Sequence, residues 1–238
     1  MKRLHPNPIE RPWGGSLLAR LFAWENAPER IGEAIIHDGA TRPLLGLKWI
    51  HAGESLSIQV HPSRPGFSKR ELWYFVEAPR DGRIITGLAS PFDAPDLESH
   101  LEYTPVAAGD LVEIPAGRIH ALTPGALVLE VHEPIDMTYR IHDWGRGRPL
   151  HLAEAEGALT TEPIIRHPRA NGGGYRRVIA RPEFVVEDLA GPLEFKNAVA
   201  GILSFVAGPR LGESWALDSG DLFALSKDDE AIWACLPE

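Results

Sequence analysis

Glycine and proline cut this chain into short pieces. The 238 residues hold 23 glycines and 21 prolines, spread along the length and not gathered in one tract. A long uninterrupted helix tolerates neither residue in its interior, so such spacing leaves room for few helices and demands many turns. Between the breaks lie runs rich in Val, Ile, Leu and aromatics: Leu44–His51, Ser55–Val60, Leu72–Val76, Arg83–Thr86, Leu111–Ile114, Leu127–His132 and Met137–Ile141. Short apolar runs punctuated at this pitch predict an all-β sandwich or barrel. One run shows the two-residue period directly. Leu56, Ile58 and Val60 fall on one face, and Ser57, Gln59 and His61 on the other. In an open sheet the second set would meet water; in a barrel it would point into the lumen. Three short helices are expected: Ser16–Phe22 with Ser16 as N-cap, two turns over Pro95–Leu101, and Leu150–Leu159.

Near Arg166 the texture changes. Asn171 is followed by three glycines, which suggests a flexible joint or mobile loop, and further short runs follow at Phe184–Leu189, Leu193–Ala198, Ile202–Val206, Leu222–Leu225 and Ala231–Leu236. Two β-rich halves are therefore expected, 1–160 and 161–238, sharing one extended structure. The composition narrows the function. A net charge of −9 with no basic stretch excludes a typical nucleic-acid binder. No run approaches the roughly 18 apolar residues of a membrane-spanning helix. The N-terminal stretch has basic residues but no apolar segment after them, so no signal peptide and a cytoplasmic location are expected. A single cysteine, Cys235, rules out an internal disulfide framework and any Cys-rich zinc module.

Chemistry concentrates in the first half, since all ten histidines lie at or before His167. Two spaced patterns stand out. In the first, Gly53 is followed after five residues by Gln59-x-His61-Pro62 and then by Lys69-Arg70-Glu71-Leu72-Trp73-Tyr74. In the second, Gly109 is followed after five residues by Pro115-x-Gly117 and, two residues on, by His120. Gln59 and His61 stand two apart on a strand and so share a face. Glu71 opens the next apolar run, and a tight turn delivers His120 to another strand. Neutral imidazoles with a carboxylate and an amide oxygen suit zinc or another first-row divalent ion.

These spacings resemble the two motifs of the cupins, small β-barrels that hold a metal in the lumen, with Gln-x-His in place of the usual His-x-His. A narrower resemblance is to the type I mannose-6-phosphate isomerases in their short bacterial form. It rests on Pro12-Trp-Gly-Gly, Ile31-Gly-Glu, Pro43-Leu-Leu, Leu56-Ser-Ile-Gln-Val-His-Pro, Lys69-x-Glu-x-Trp-Tyr, Ile114-Pro-Ala-Gly-x2-His-Ala and Asp136-x-Thr-Tyr-Arg-x2-Asp-Trp-Gly-Arg. The resemblance implies a cupin β-barrel with two cupin halves, the second degenerate and metal-free. It implies one Zn2+ per chain, or another divalent ion, on His61, Glu71 and His120 with Gln59 as a fourth or outer ligand. Arg140 and Lys69 fall at the family's active-site arginine and lysine. The implied substrates are mannose 6-phosphate and fructose 6-phosphate, with Glu130 or a metal-bound water moving the proton. Two rivals keep the scaffold: an iron-dependent cupin oxygenase, and a sugar-phosphate binder without turnover. Among simpler roles, Arg140 could pair with Asp143 or Asp136, and Trp73 is read as packing or as lining for the sugar. Arg64 and Arg70 are further cations near the motif. The chain has His132-Glu133 where relatives often carry Gln-Gln, and neither His132 nor His142 matches a motif position.

Overall fold

The computed structural model describes residues 1–37 and 45–237, which leaves Leu44 of the first apolar run and Pro43-Leu44 of the Pro-Leu-Leu piece outside. Among the described residues the strands form two large antiparallel sheets and several two-stranded ones. The first large sheet has seven strands, in the order Ile165–His167, Leu111–Ile114, Glu71–Glu77, Leu127–His132, Gly46–His51, Ile31–Ile36 and Asn7–Gly15. Facing it is a second layer. It contains Tyr139–His142 paired with Ile58–Val60, and Arg83–Leu88 paired with Leu101–Pro105; His120 and Ala121 bridge the two pairs.

Both faces of the seven-stranded sheet are buried, which explains why its strands read as nearly continuous apolar runs. Along Glu71–Glu77, Trp73 and Phe75 turn inward to meet Ile58, Val60, Ile84 and Ile141. Leu72 and Tyr74 turn outward to pack with Leu47, Trp49 and Leu129 against Ile179, Val186 and Ile232. Those last residues belong to the second large sheet, of six strands, whose far face forms a third apolar layer around Phe195, Leu203, Phe205 and Trp233. The interior of that second half is filled by aromatic rings, and no histidine lies beyond His167.

The halves exchange strands. Lys2–Leu4 pairs with Ser214–Leu217 in the six-stranded sheet, while Ile165–His167 pairs with Leu111–Ile114 in the seven-stranded one. The triglycine leads directly into the edge strand Gly174–Ala180, hairpinned with Val185–Ala190.

The expected mainly β architecture with few short helices holds, with local corrections. Ser16 stands at the N-cap of Leu17–Leu21 but makes no side-chain cap bond. The two turns expected over Pro95–Leu101 shrink to a 3-10 turn at Leu97–His100. There Leu101–Pro105 leaves the helical path to pair with Arg83–Leu88. Leu152–Ala158 is helical as expected. The strand Asn7–Gly15 escaped the sequence reading because Pro8 and Pro12 lack N–H donors; it lies at a sheet edge, where that loss is tolerated.

One glycine positions the chemistry. Gly117 has φ +77°, and a Cβ there would lie 2.1 Å from the Ala158 carbonyl oxygen. Only glycine fits this turn at no steric cost. The Gly117 N–H donates to the His61 carbonyl (3.1 Å), so the turn that leads to His120 is tied to the segment carrying His61.

Candidate metal centre

Ile58 and Val60 anchor their strand in the core, and Ser57, Gln59 and His61 face the other way, lining a cavity of about 440 Å³ between the layers. The lumen alternative of the two-residue period is the one realised. Glu71 enters from the inner face of the seven-stranded sheet. His120 is held beside Gln59 by a pair of backbone hydrogen bonds, Gln59 N–H to the His120 carbonyl (3.2 Å) and His120 N–H to the Gln59 carbonyl (3.0 Å). One ligand atom from each of His61, Glu71 and His120 lies within 4.8 Å of the others, and all three residues are buried. Among the described residues this is the one grouping of three such donors.

The second nitrogen of each ring decides what the first can do. His61 Nδ1 lies 2.7 Å from the Met137 carbonyl oxygen, and His120 Nδ1 lies 2.8 Å from that of Arg118. A carbonyl only accepts, so both Nδ1 atoms carry hydrogen and donate. In the neutral rings, both Nε2 lone pairs then face Glu71, at 2.9 Å from His61 to Oε1 and 3.7 Å from His120 to Oε2. His61 Nε2 and Glu71 Oε2 are buried without a hydrogen-bond partner. A bare lone pair on His61, one on His120 met only by the Gln59 amide, and a carboxylate gathered in a closed space fit a divalent cation. Backbone carbonyls orienting ligand imidazoles are the usual outer support of such a site. Gln59 Nε2 stands 3.4 Å from His120 Nε2, and its Oε1 accepts from Ser57 Oγ (3.0 Å). A half-turn of the amide would bring the oxygen to the centre, because a serine hydroxyl serves as donor or acceptor.

Electrostatics hold these states in place. Burial pushes the Glu71 carboxyl up, but the Lys69 ammonium 2.6 Å away outweighs it and holds the group well below the usual carboxylate range. Burial pushes His120 down to about 4, against the pull of Glu71, so the ring stays neutral. Burial, together with the charge of Glu71, raises Glu130, with Lys48 and Lys69 opposing.

A chain of alternating charges crosses the cavity. Arg11 meets Glu33 (2.6 Å), Glu33 meets Lys48 (3.1 Å), and Lys48 meets Glu130 Oε1 (3.2 Å). Lys69 then lies 3.6 Å from Glu130 Oε1 and 2.6 Å from Glu71 Oε1. Lys69 is therefore buried between two carboxylates. Lys48, Glu33, Arg11 and Arg148 also line the cavity and were missed in the sequence, where none falls near a ligand motif. Strand pairing brings Lys48 in, as the neighbour of Glu130.

Arg140 lies on the strand beside Gln59 and lines the cavity. Its Nη1 donates to the Pro149 carbonyl (2.7 Å), while Nε is buried without a partner. Asp143, considered as its ion-pair partner, is taken by Arg148 (Nε to Oδ2, 2.8 Å) and Arg146, and Asp136 makes no ion pair with it. Burial and the neighbouring Arg148 charge push the guanidinium below its ordinary value. Arg64 stacks over Phe67 and Arg70 pairs with Glu162, so neither joins the cavity. His142 pairs with Glu98 (3.3 Å), and His132 Nε2 lies 3.8 Å from Glu130; both stay apart from the ligand trio.

No protein-family model matches the chain. A mannose-6-phosphate isomerase of Streptococcus mutans is 34% identical over 203 residues, covering 62% of this chain and 64% of that protein. A Bacillus subtilis protein named "Probable mannose-6-phosphate isomerase GmuF" is 30% identical over 192 residues, covering 71% of this chain and 59% of that protein. The chain thus spans about three fifths of the length of the curated relatives it matches. Among solved structures, the mannose 6-phosphate isomerase from Bacillus subtilis superposes with a TM-score of 0.69 at 22% identity, over 99% of this chain and 100% of that one. A mannose 6-phosphate isomerase bound with zinc and yttrium gives 0.64 at 13% identity, over 98% of each chain. The fold is that of these solved phosphomannose isomerases, mainly β as expected, and the relatives at 30–34% identity agree with the resemblance read from the motifs. No helix among the described residues is long and apolar enough to cross a membrane.

Proposed function

We propose that the chain is a zinc-dependent aldose–ketose isomerase that interconverts mannose 6-phosphate and fructose 6-phosphate. The observation that carries this reading is the convergence of the His61 and His120 Nε2 lone pairs on Glu71, in a cavity walled by cations. His61, Glu71 and His120 would hold the ion, with Gln59 as fourth or outer ligand. Two nitrogens with carboxylate and amide oxygens form a set that zinc accepts in tetrahedral geometry. The bound ion would polarise substrate oxygens as a Lewis acid.

The residues of the chain supply the rest. Glu130, buried on the inner face of the central sheet, takes the proton from C2 of the open-chain aldose at Oε1. It returns the proton to C1 after the enediol forms, while the hydroxyl proton passes from O2 to O1. Burial raises its pKa, which makes the carboxylate a stronger base. Arg140 offers an unpaired donor edge to the oxygen on which negative charge develops. Lys69, set between Glu71 and Glu130, holds Glu71 charged and both carboxylates in place, and the phosphate meets the Arg11 and Arg148 wall of the cavity. Residues 1–160 carry this chemistry, and 161–238 form a metal-free half that covers the outer face of the central sheet. A buried lone Cys235 suits a reducing, cytoplasmic setting. An iron oxygenase would share the ligand trio, but the row of lysines and arginines favours a phosphorylated, polar substrate over dioxygen.

A coupled assay with mannose 6-phosphate tests the reading. Turnover should vanish on chelation and return with added zinc. Absence of turnover in folded, metal-loaded protein would leave a sugar-phosphate binder, and dioxygen uptake with Fe(II) would replace the isomerase with an oxygenase.

A further inference from the structure

The isomerase reading gives Glu130 a proton to move, and the surroundings of Glu130 decide which of its two oxygens can move it. Trp73 and Glu130 are direct cross-strand partners, and Lys48 partners Glu130 on its other side, so the three form one row on the inner face of the sheet. The Trp73 indole N–H donates to Glu130 Oε2 at 3.0 Å. An indole nitrogen is a donor only, so this bond has a single polarity and occupies Oε2 permanently. Oε1 is left toward the cavity, beside Lys48 (3.2 Å), Lys69 (3.6 Å) and His132 Nε2 (3.8 Å), ion-paired but without a hydrogen bond of its own.

The ring that makes this bond cannot move aside. Trp73 is 1% exposed, meets the His120 ring edge-on at 5.5 Å, and packs at 77° against Phe75. One side chain therefore touches both a proposed metal ligand and the proposed base. We infer that Trp73 is a positioning residue that acts through Glu130: its indole N–H locks Oε2 and so leaves Oε1 as the atom that carries the proton. This inference rests on the isomerase reading, and it gives Trp73 a role beyond packing or lining the sugar.

Trp73→Phe keeps an aromatic ring against His120 and removes the donor. Loss of a hydrogen bond to a charged group typically costs about 10–100-fold. The expected result is a kcat lower by roughly that factor, with KM for mannose 6-phosphate and zinc content unchanged and a larger kinetic isotope effect with the C2-deuterated substrate. In a Glu130→Gln background the same change should cost nothing further, because the two act as a unit. Should Trp73→Phe fold poorly, site-specific incorporation of benzothienylalanine at position 73 removes the N–H at constant shape and predicts the same kcat loss. An unchanged kcat in either variant overturns the proposal, as does a loss that follows zinc content or KM, or one fully additive with Glu130→Gln. Wild-type protein is measured alongside; if it fails to turn over, the isomerase reading falls, which is a separate outcome from an active wild type with an indifferent Trp73.

Discussion

Arg140→Ala should retain its zinc and lose about 10²–10³-fold in kcat, the usual loss when one donor to a developing oxyanion is removed. The expectation comes from what Arg140 leaves undone in the structure. Every other arginine near it is engaged: Arg148 and Arg146 share Asp143, and Arg11 holds Glu33. Arg140 spends one nitrogen on the Pro149 carbonyl and keeps a buried Nε without partner. A buried donor without an acceptor is a cost in the free protein, and a substrate oxygen gaining charge would remove it. Since Arg140 makes no hydrogen bond or ion pair with His61, Glu71 or His120, its removal leaves that trio intact. Arg140→Lys should recover only part of the rate, because an ammonium cannot reproduce the planar fork. Full activity of Arg140→Ala would end its proposed role.

Glu71→Gln should have the broader effect, abolishing both metal binding and turnover and weakening the fold. Glu71 is a proposed ligand and also the counter-ion of Lys69, a lysine 3% exposed whose other carboxylate, Glu130, lies farther away. Breaking one side of a buried ion pair costs about 3–5 kcal/mol because the remaining charge is left without compensation. Adding Lys69→Met should restore much of the stability and none of the metal, separating the two duties. Denaturant unfolding followed with zinc analysis reads both. Undiminished stability in Glu71→Gln would show that Lys69 finds its compensation elsewhere.

Of the proposed ligand positions, the histidines were legible because strand geometry is local, while Glu71 and the set as a whole came from the family resemblance. Gln59-x-His61 shares a face through the two-residue period, and Pro115-x-Gly117 announces the turn that leads to His120. The long apolar runs were legible for the same reason: Leu72 to Val76 alternate between two buried faces, so each residue reads as core. What stayed hidden depends on pairing between distant segments. Lys48 sits in an ordinary apolar run and becomes part of the cavity because its strand lies beside Leu127–His132. Arg11 lies in a strand masked by two prolines. Nothing in Lys2–Leu4 foretold that it would join the sheet of the second half. The helix expected from Pro95 onward lost to a strand pairing that propensity alone does not weigh.

The most direct test is zinc stoichiometry in chelator-stripped protein, reloaded, dialysed and subjected to elemental analysis beside His120→Ala treated in the same way. The wild-type chain should retain one ion and the variant almost none, with folding of both confirmed by circular dichroism. Stoichiometric zinc in the variant, or none in the folded wild type, would contradict the claim that His61, Glu71 and His120 together hold a metal.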